Sequence, residues 1–384
     1  MAGLTAPERL FLLLIAVLTA LAGVANYGGW APVPRFALAT FALAGLAWIV
    51  SFATEQLGER FGPGLTGMLQ STLGNLPELF VVIFALKKAE LVVAQTAIVG
   101  SVFANALLVL GLVIVVGARR APDGLMRFSK RLPNDTATLL LLASFIIVLL
   151  GLSLAAHDPA SHHVDAISAI GAGCLLVVYM TWVVPYLRSD TVPGAVAVPA
   201  DAGREGGEEA GLLSADVGRP PPGAAAGRAH RPRVSLTVTL ALLGVGGVAS
   251  AFVSEWFISA LEPAIVQLHI SQAFAGLVIV AIAGNAVENV AGLNLAYKRR
   301  YDLAISVVKN SVAQIAAFLF PLLVLVSFAL PTTLTFALAP VYIGALVLTS
   351  LALWQVTGDG EAAEFEGWAL VALYVILAAL TLYE

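Results

Sequence analysis

Charge is what this chain has least of. Only 11% of its 384 residues are Asp, Glu, Lys or Arg, against ~25% in an ordinary soluble domain. With 59% hydrophobic residues and a mean hydropathy of +0.93, a soluble globular protein is excluded and an integral membrane protein is expected. Cysteine is almost missing: Cys174 stands alone inside an apolar run, so no intrachain disulfide can form. The net charge of -4 is spread over loops without a basic patch, which leaves nucleic acid out as a partner. No nucleophile–base pair and no glycine-rich phosphate loop stands out, so neither an enzyme nor a bound cofactor is expected. Histidine is sparse as well. The cluster "HDPASHHVD", with His157, Asp158, His162, His163 and Asp165, fits no tight metal spacing and reads as a polar outer loop.

What the chain does have is apolar runs. Stretches of about 20 residues, enough to cross a bilayer, fall near 9 to 26, 34 to 53, 63 to 87, 91 to 117, 135 to 156, 164 to 187, 234 to 256, 271 to 297, 303 to 327, 332 to 355 and 366 to 383. The first is read as a helix, because one arginine makes a thin leader for a cleaved signal. Lysines and arginines set the orientation. With a cytoplasmic N-terminus, sixteen fall inside and only Arg35, Lys87 and Lys88 fall outside. Eleven crossings then put Glu384 outside, and the plasma (inner) membrane is the expected location. The Gly-, Pro- and Ala-rich stretch 188–232 reads as a flexible cytoplasmic linker.

Polar residues interrupt the apolar runs in a pattern that repeats. "LGNLPELFVVIFALKK" in the first half is answered by "AGNAVENVAGLNLAYKRR" in the second. Gly284, Asn285, Glu288 and Ser311 each stand 210 residues after Gly74, Asn75, Glu78 and Ser101. The helices before them also correspond, "VSFATEQL" with Glu55 and "ASAFVSEWF" with Glu255. The second Gly-Asn-x-x-Glu segment lies five spans after the first, an odd number of steps, so the segments run in opposite directions. That is an inverted repeat, whose substrate site lies near the midplane. The expected architecture is all-α and polytopic, with an N-terminal helix (1–33), a first five-helix repeat (34–187), the linker (188–232) and a second five-helix repeat (233–384).

An ionisable residue inside a span costs ~2.5 to 3.5 kcal/mol on insertion scales, and two glutamates bear that cost at equivalent places. Gly74 with Pro77, and Gly284, loosen their helices so that backbone carbonyls can face a cavity. Carboxylates, Asn amides, serine hydroxyls and freed carbonyls are all oxygen donors, the set that hard cations, Ca²⁺ above all, require. The bland alternatives are that Asn75 and Asn285 cap half-helices, that Ser101 and Ser311 let helices approach, and that Asn105 and Gln314 are interhelical glue.

The paired motifs, with "VVAQTAIVGSVFANALLVLG" after the first and "SVVKNSVAQIAAFLFPLLV" after the second, resemble the cation/proton exchanger branch of the calcium/cation antiporter superfamily over residues 36 to 384. The resemblance implies a Ca²⁺/H⁺ antiporter with Glu78 and Glu288 as ligands, Asn75, Asn285, Ser101, Ser311 and Gln314 nearby, and a proton-linked role for Glu55 and Glu255. Gly74, Gly284 and Asn105 complete the expected ion-facing set. The family's pattern is departed from at Asn289, where histidine is usual, and at Asn310-Ser311, where Gly-Ser is usual; the Pro-Glu ending of GNLPE is the form familiar from sodium/calcium exchangers. A Na⁺/Ca²⁺ or Na⁺(K⁺)/H⁺ antiporter, and a passive channel or membrane sensor, remain the alternatives. Lys309, within a span, points about 200° from Ser311 and is expected to pair with a carboxylate other than Glu78 or Glu288.

Overall fold

The computed structural model describes residues 4–61, 74–129, 131–188 and 234–384. Its helices are α1 (Ala6–Tyr27), α2 (Pro32–Phe61), α3 (Leu76–Lys87), α4 (Leu91–Arg120), α5 (Arg131–Ala156), α6 (Val164–Arg188), α7 (Leu236–Leu268), α8 (Gln272–Gly284), α9 (Ala286–Tyr297), α10 (Tyr301–Ser327), α11 (Pro340–Thr357) and α12 (Glu364–Leu382). Among the described residues nine helices are long and apolar enough to cross a membrane. A tenth span forms if α8 and the chain from Asn289 to Tyr297, bent by 57°, count as one. The eleventh expected span, 63 to 87, begins outside the described residues and is represented by α3.

Local chemistry starts and stops these helices. Thr5 caps α1 with a reciprocal box to Glu8, and Ser235 caps α7 by accepting from the Val238 amide. Three boundaries differ from expectation. α2 continues to Phe61 and α7 to Leu268, because a helix can carry polar residues past the hydrocarbon layer once its backbone bonds are made within the segment. α11 begins at Pro340 rather than near 332, since Pro340 suits the first helical turn. The irregular chain before it is buried at Leu334, Phe336 and Leu338. Side chains satisfy its backbone: Ser327 Oγ accepts from the Leu334 amide at 2.8 Å, Ser168 Oγ from the Phe336 amide at 3.2 Å, and Gln95 Nε2 donates to the Ala337 carbonyl at 3.0 Å.

The repeat is built into the backbone. α3 and α9 are each 12 residues long and start 210 residues apart, after Asn75 (φ -93°, ψ 15°) and Asn285 (φ -97°, ψ 14°). Each is followed by a non-glycine residue in the left-handed region, Ala89 (φ 61°) and Arg299 (φ 58°), again 210 residues apart. So uncommon a conformation recurring at one offset marks true structural equivalence. α4 and α10 then carry π-helical stretches at Ala104–Val109 and Ile315–Leu319.

The two copies run in opposite directions. The chain just past the C-terminal end of α3 meets α7, where Lys88 Nζ donates to Ser259 Oγ at 2.6 Å, and the start of α8, where Gln272 Nε2 donates to Glu90 Oε2 at 2.9 Å. α4 leaves from that face and ends at the other, where the Arg120 guanidinium lies 4.5 Å over the Tyr297 ring at the C-terminal end of α9. On that second face β1 (Leu125–Arg127) pairs antiparallel with β2 (Glu361–Ala363), joining the two halves. The run "GDGEAAEFE", which in sequence reads as a solvated loop, is thus partly strand, with Arg119 in a 2.6 Å ion pair to Glu364. In the interior, α2 packs along α7 with α1 against both. α4 meets α12 so closely that a Cβ on Gly111 or Gly367 would lie 2.6 Å from the other's carbonyl oxygen.

Candidate functional site

Glu78 sits in the first turn of α3, just past the Gly74-Asn75 turn, with Pro77 where its missing N–H does no harm. The N-terminal end of a helix favours a negative charge. The side chain is 5% exposed, among Asn285, Ser101 and Asn105, none above 1%. Glu78 Oε1 accepts from Ser101 Oγ at 2.5 Å and from Asn285 Nδ2 at 2.6 Å. Asn285 Nδ2 also lies 3.0 Å from Ser101 Oγ and 2.8 Å from the Ala281 carbonyl, so two N–H bonds serve three acceptors. Asn285 Oδ1 accepts in turn from Asn105 Nδ2 at 2.7 Å, and the same Nδ2 lies 3.0 Å from the Ser101 carbonyl. The network therefore crosses between the halves: Glu78, Ser101 and Asn105 come from the first, Asn285 from the second.

Glycines let the elements come this close. A Cβ on Gly284 would fall 2.7 Å from Glu78 Cγ, so any larger residue would push the carboxylate away from Asn285. Between α4 and α8, a Cβ on Gly100 would stand 2.5 Å from Leu277 Cα and one on Gly276 2.0 Å from Thr96 Oγ1. Small residues at such seams allow backbones to approach in a membrane. These two contacts were not anticipated from sequence; isolated glycines inside apolar helices were the available signal.

The other expected residues are distributed unevenly. Asn75 and Gly74 are buried beside the start of α3, and Asn75 makes no side-chain cap bond. Ser311 is 4% exposed, and its Oγ has no hydrogen-bond partner among the described residues; the same holds for Asn105 Oδ1 and Asn310 Oδ1. Gln314 is half-buried near the π-helical turn of α10. Glu255 is exposed on α7 rather than gathered with Glu78. Glu55 and Glu288 fall on α2 and α9, and their side chains lie outside the described part of the structure. At the far end of α3, burial and the nearby Glu262 push the Glu90 carboxyl up, with Lys88 opposing. Among the described residues, the histidine-rich loop included, no three or more His, Cys, Asp or Glu are gathered as a group that could hold a metal. There Asp158 caps the short 3₁₀ turn instead.

Lys309 corrects its expectation. It is fully buried, yet no carboxylate lies within ion-pair distance among the described residues; its Nζ donates to Thr357 Oγ1 at 2.9 Å. Asp302, two turns earlier, is exposed and accepts from the Ser129 amide at 2.7 Å. Its partner is thus a hydroxyl 48 residues along the chain and not an opposite charge.

A buried carboxylate held by an amide and a hydroxyl, where two oppositely directed copies of one helical unit meet, is the architecture of a secondary transporter of the inverted-repeat class. The chain belongs to the sodium/calcium exchanger protein family, whose model matches residues 32–185 and 238–383. It is similar to the Ca²⁺/H⁺ antiporter of Synechocystis sp., 30% identical over 97% of this chain and 96% of that protein. The Ca²⁺/H⁺ antiporter ChaA of Bacillus subtilis is 26% identical over 97% of this chain and 98% of its own. The solved structure of native YfkE superposes with a TM-score of 0.76 at 25% identity, covering 97% of this chain and all of that one.

Proposed function

We propose that this integral membrane protein is a Ca²⁺/H⁺ antiporter in which Ca²⁺ and protons compete for one site built on Glu78 and Glu288. The observation that carries the reading is the buried Glu78 carboxylate, bonded at once to Ser101 of its own half and Asn285 of the other. The full-length relatives named Ca²⁺/H⁺ antiporters support the choice of ions.

The arrangement is the hydrogen-bonded form of the site. An amide nitrogen and a hydroxyl proton face the carboxylate, and neither can ligate a cation. To admit Ca²⁺, Ser101 turns its proton away and the Asn285 amide turns its oxygen inward. Ionised carboxylates, amide and hydroxyl oxygens, and carbonyls freed near Gly74 and Gly284 then supply oxygen ligands. When Ca²⁺ leaves, protons return to the carboxylates, which titrate as a coupled pair. The two halves rock about this fixed site and expose it to each side in turn.

The repeat boundaries 34–187 and 233–384, a cytoplasmic face bearing the β1–β2 ribbon, an outside C-terminus and residence in the cell membrane belong to the same proposal, the cytoplasmic face and the outside C-terminus on the lysine and arginine bias. Ca²⁺, H⁺ and lipid are its only expected small partners. Proteoliposomes in sodium-free buffer test it: an imposed pH gradient drives Ca²⁺ accumulation against its own gradient. Uptake that requires Na⁺ would assign the chain to a sodium-coupled exchanger, and downhill flux alone would make it a channel.

A further inference from the structure

α10 carries Ser311, the counterpart of Ser101 at the 210-residue offset, on one side and Lys309 on the other. Two residues along a helix turn the direction by about 200°, so the lysine occupies the back of the helix relative to the serine. Every helical Cβ tilts toward the N-terminal end. The N-terminal end of α10 lies on the ribbon face, where Ser129 meets Asp302. The lysine stem accordingly reaches toward Thr357, the last residue of α11, and its Nζ donates to Thr357 Oγ1 at 2.9 Å. Thr357 gives its only hydroxyl proton to the Leu353 carbonyl at 2.6 Å, which fixes it as acceptor toward the lysine. The backbone of the same residue is held from a second helix, since Thr136 Oγ1 of α5 donates to the Lys309 carbonyl at 3.3 Å. Lys309 and Thr357 are each 0% exposed, and so is Thr136.

The first half has no such arrangement. Val99 stands at the place equivalent to Lys309, and there Gly100 seats α4 directly on the Leu277 backbone. Its serine, Ser101, is oriented by its own bonds to Glu78 and Asn285. Ser311 has no hydrogen-bond partner among the described residues, so its position depends on where α10 is held. Four residues beyond it the helix widens into its π-helical stretch, and Lys309 is the last side chain before Ser311 that bonds α10 to a neighbouring helix among the described residues.

We propose that Lys309 is a positioning residue for ion binding: bonded to Thr357 through its side chain and to Thr136 through its backbone, it fixes α10 from behind and so sets Ser311 toward the ion. The inference rests on the proposed Ca²⁺/H⁺ exchange for its transport readout, and on stability for a readout that does not.

Four variants test it: Thr357→Val, Thr357→Ser, Lys309→Met and the double variant Lys309→Met/Thr357→Val. Thr357→Val strands a buried amine without its acceptor, Thr357→Ser keeps the hydroxyl, and the double variant replaces both partners by apolar groups. The expected result is that Thr357→Val raises the Ca²⁺ concentration for half-maximal exchange by about tenfold, and Lys309→Met by about threefold, the scale of one interhelical hydrogen bond. Maximal rate and reversal potential stay near wild type, Thr357→Ser behaves as wild type, and the double variant is no worse than Lys309→Met. Melting temperatures in detergent follow the same order, with Thr357→Val lowest and the double variant recovered. Should Thr357→Val fail to fold while the double variant folds, the tie is upheld. A wild-type Lys309→Met, an additive double variant, or a shifted reversal potential in Lys309→Met would overturn it, the last by showing that the charge itself enters the cycle. Absence of Ca²⁺/H⁺ exchange in the wild type would instead sink the transport reading and leave the melting order to judge the tie.

Discussion

Ser101 and Ser311 occupy the same place on equivalent helices, 210 residues apart, and are held in different ways. Ser101 is bonded to Glu78 and Asn285, whereas Ser311 has no hydrogen-bond partner among the described residues and sits on a helix tied from behind by Lys309. The two motif asparagines, neither of which caps its own helix through its side chain, differ likewise: Asn285 reaches Glu78, Ser101 and the Ala281 carbonyl and receives Asn105, and no such set of bonds joins Asn75 to the described residues. The backbones of the halves agree down to the left-handed residues Ala89 and Arg299. The backbone is thus duplicated more closely than the side chains it carries, with Val99 against Lys309 and Gly100 against Asn310, and under the proposed function those differences set what each half does at the site.

The comparison can be broken most severely at the carboxylates, where the halves are expected to be alike. Glu78→Gln and Glu288→Gln should each lower pH-driven Ca²⁺ flux by at least about a hundredfold in folded protein, because an amide can neither neutralise the ion nor carry the proton. Near-normal flux from either would remove the paired mechanism. At the asparagines the halves should part. Asn285→Ala is expected to slow exchange by about tenfold or more through loss of buried bonds to a charged group, and Asn75→Ala by less than about threefold; equal effects would show that the described network is not the one that matters.

Packing gives a smaller contrast, read as melting temperature. Gly100→Ala places a methyl 2.5 Å from the Leu277 backbone and should be destabilising, whereas Gly173→Ala, with nothing within 4 Å, should be silent. Smallest of all, deletion of 195–225 should leave flux within about twofold, since that stretch lacks the apolar content to join a packed core. Loss of transport by a correctly inserted deletion variant would make the linker a working part.

Most of this arrangement was readable because membrane insertion punishes polar residues: Glu78 and Asn285 stand out against apolar neighbours, and one offset of 210 links four residue pairs. The inverted topology followed from counting spans between them. Less visible were features made by contacts far apart in sequence. A three-residue strand such as Leu125–Arg127 carries no period to recognise, and its partner is Glu361–Ala363. Likewise, helix geometry correctly turns Lys309 away from Ser311, but nothing local points to Thr357. Helices also outrun their apolar stretches, as in α7, which continues through Pro263 to Leu268.

Competition between Ca²⁺ and protons for the Glu78 site is the central claim, and proton release on binding tests it without transport. Purified protein in weakly buffered detergent solution, titrated with Ca²⁺ while pH is followed by an indicator dye, should release protons in saturable proportion to bound Ca²⁺. Glu78→Gln should release few or none. Saturable Ca²⁺ binding by the wild type with no proton release, or undiminished release from Glu78→Gln, would contradict the account.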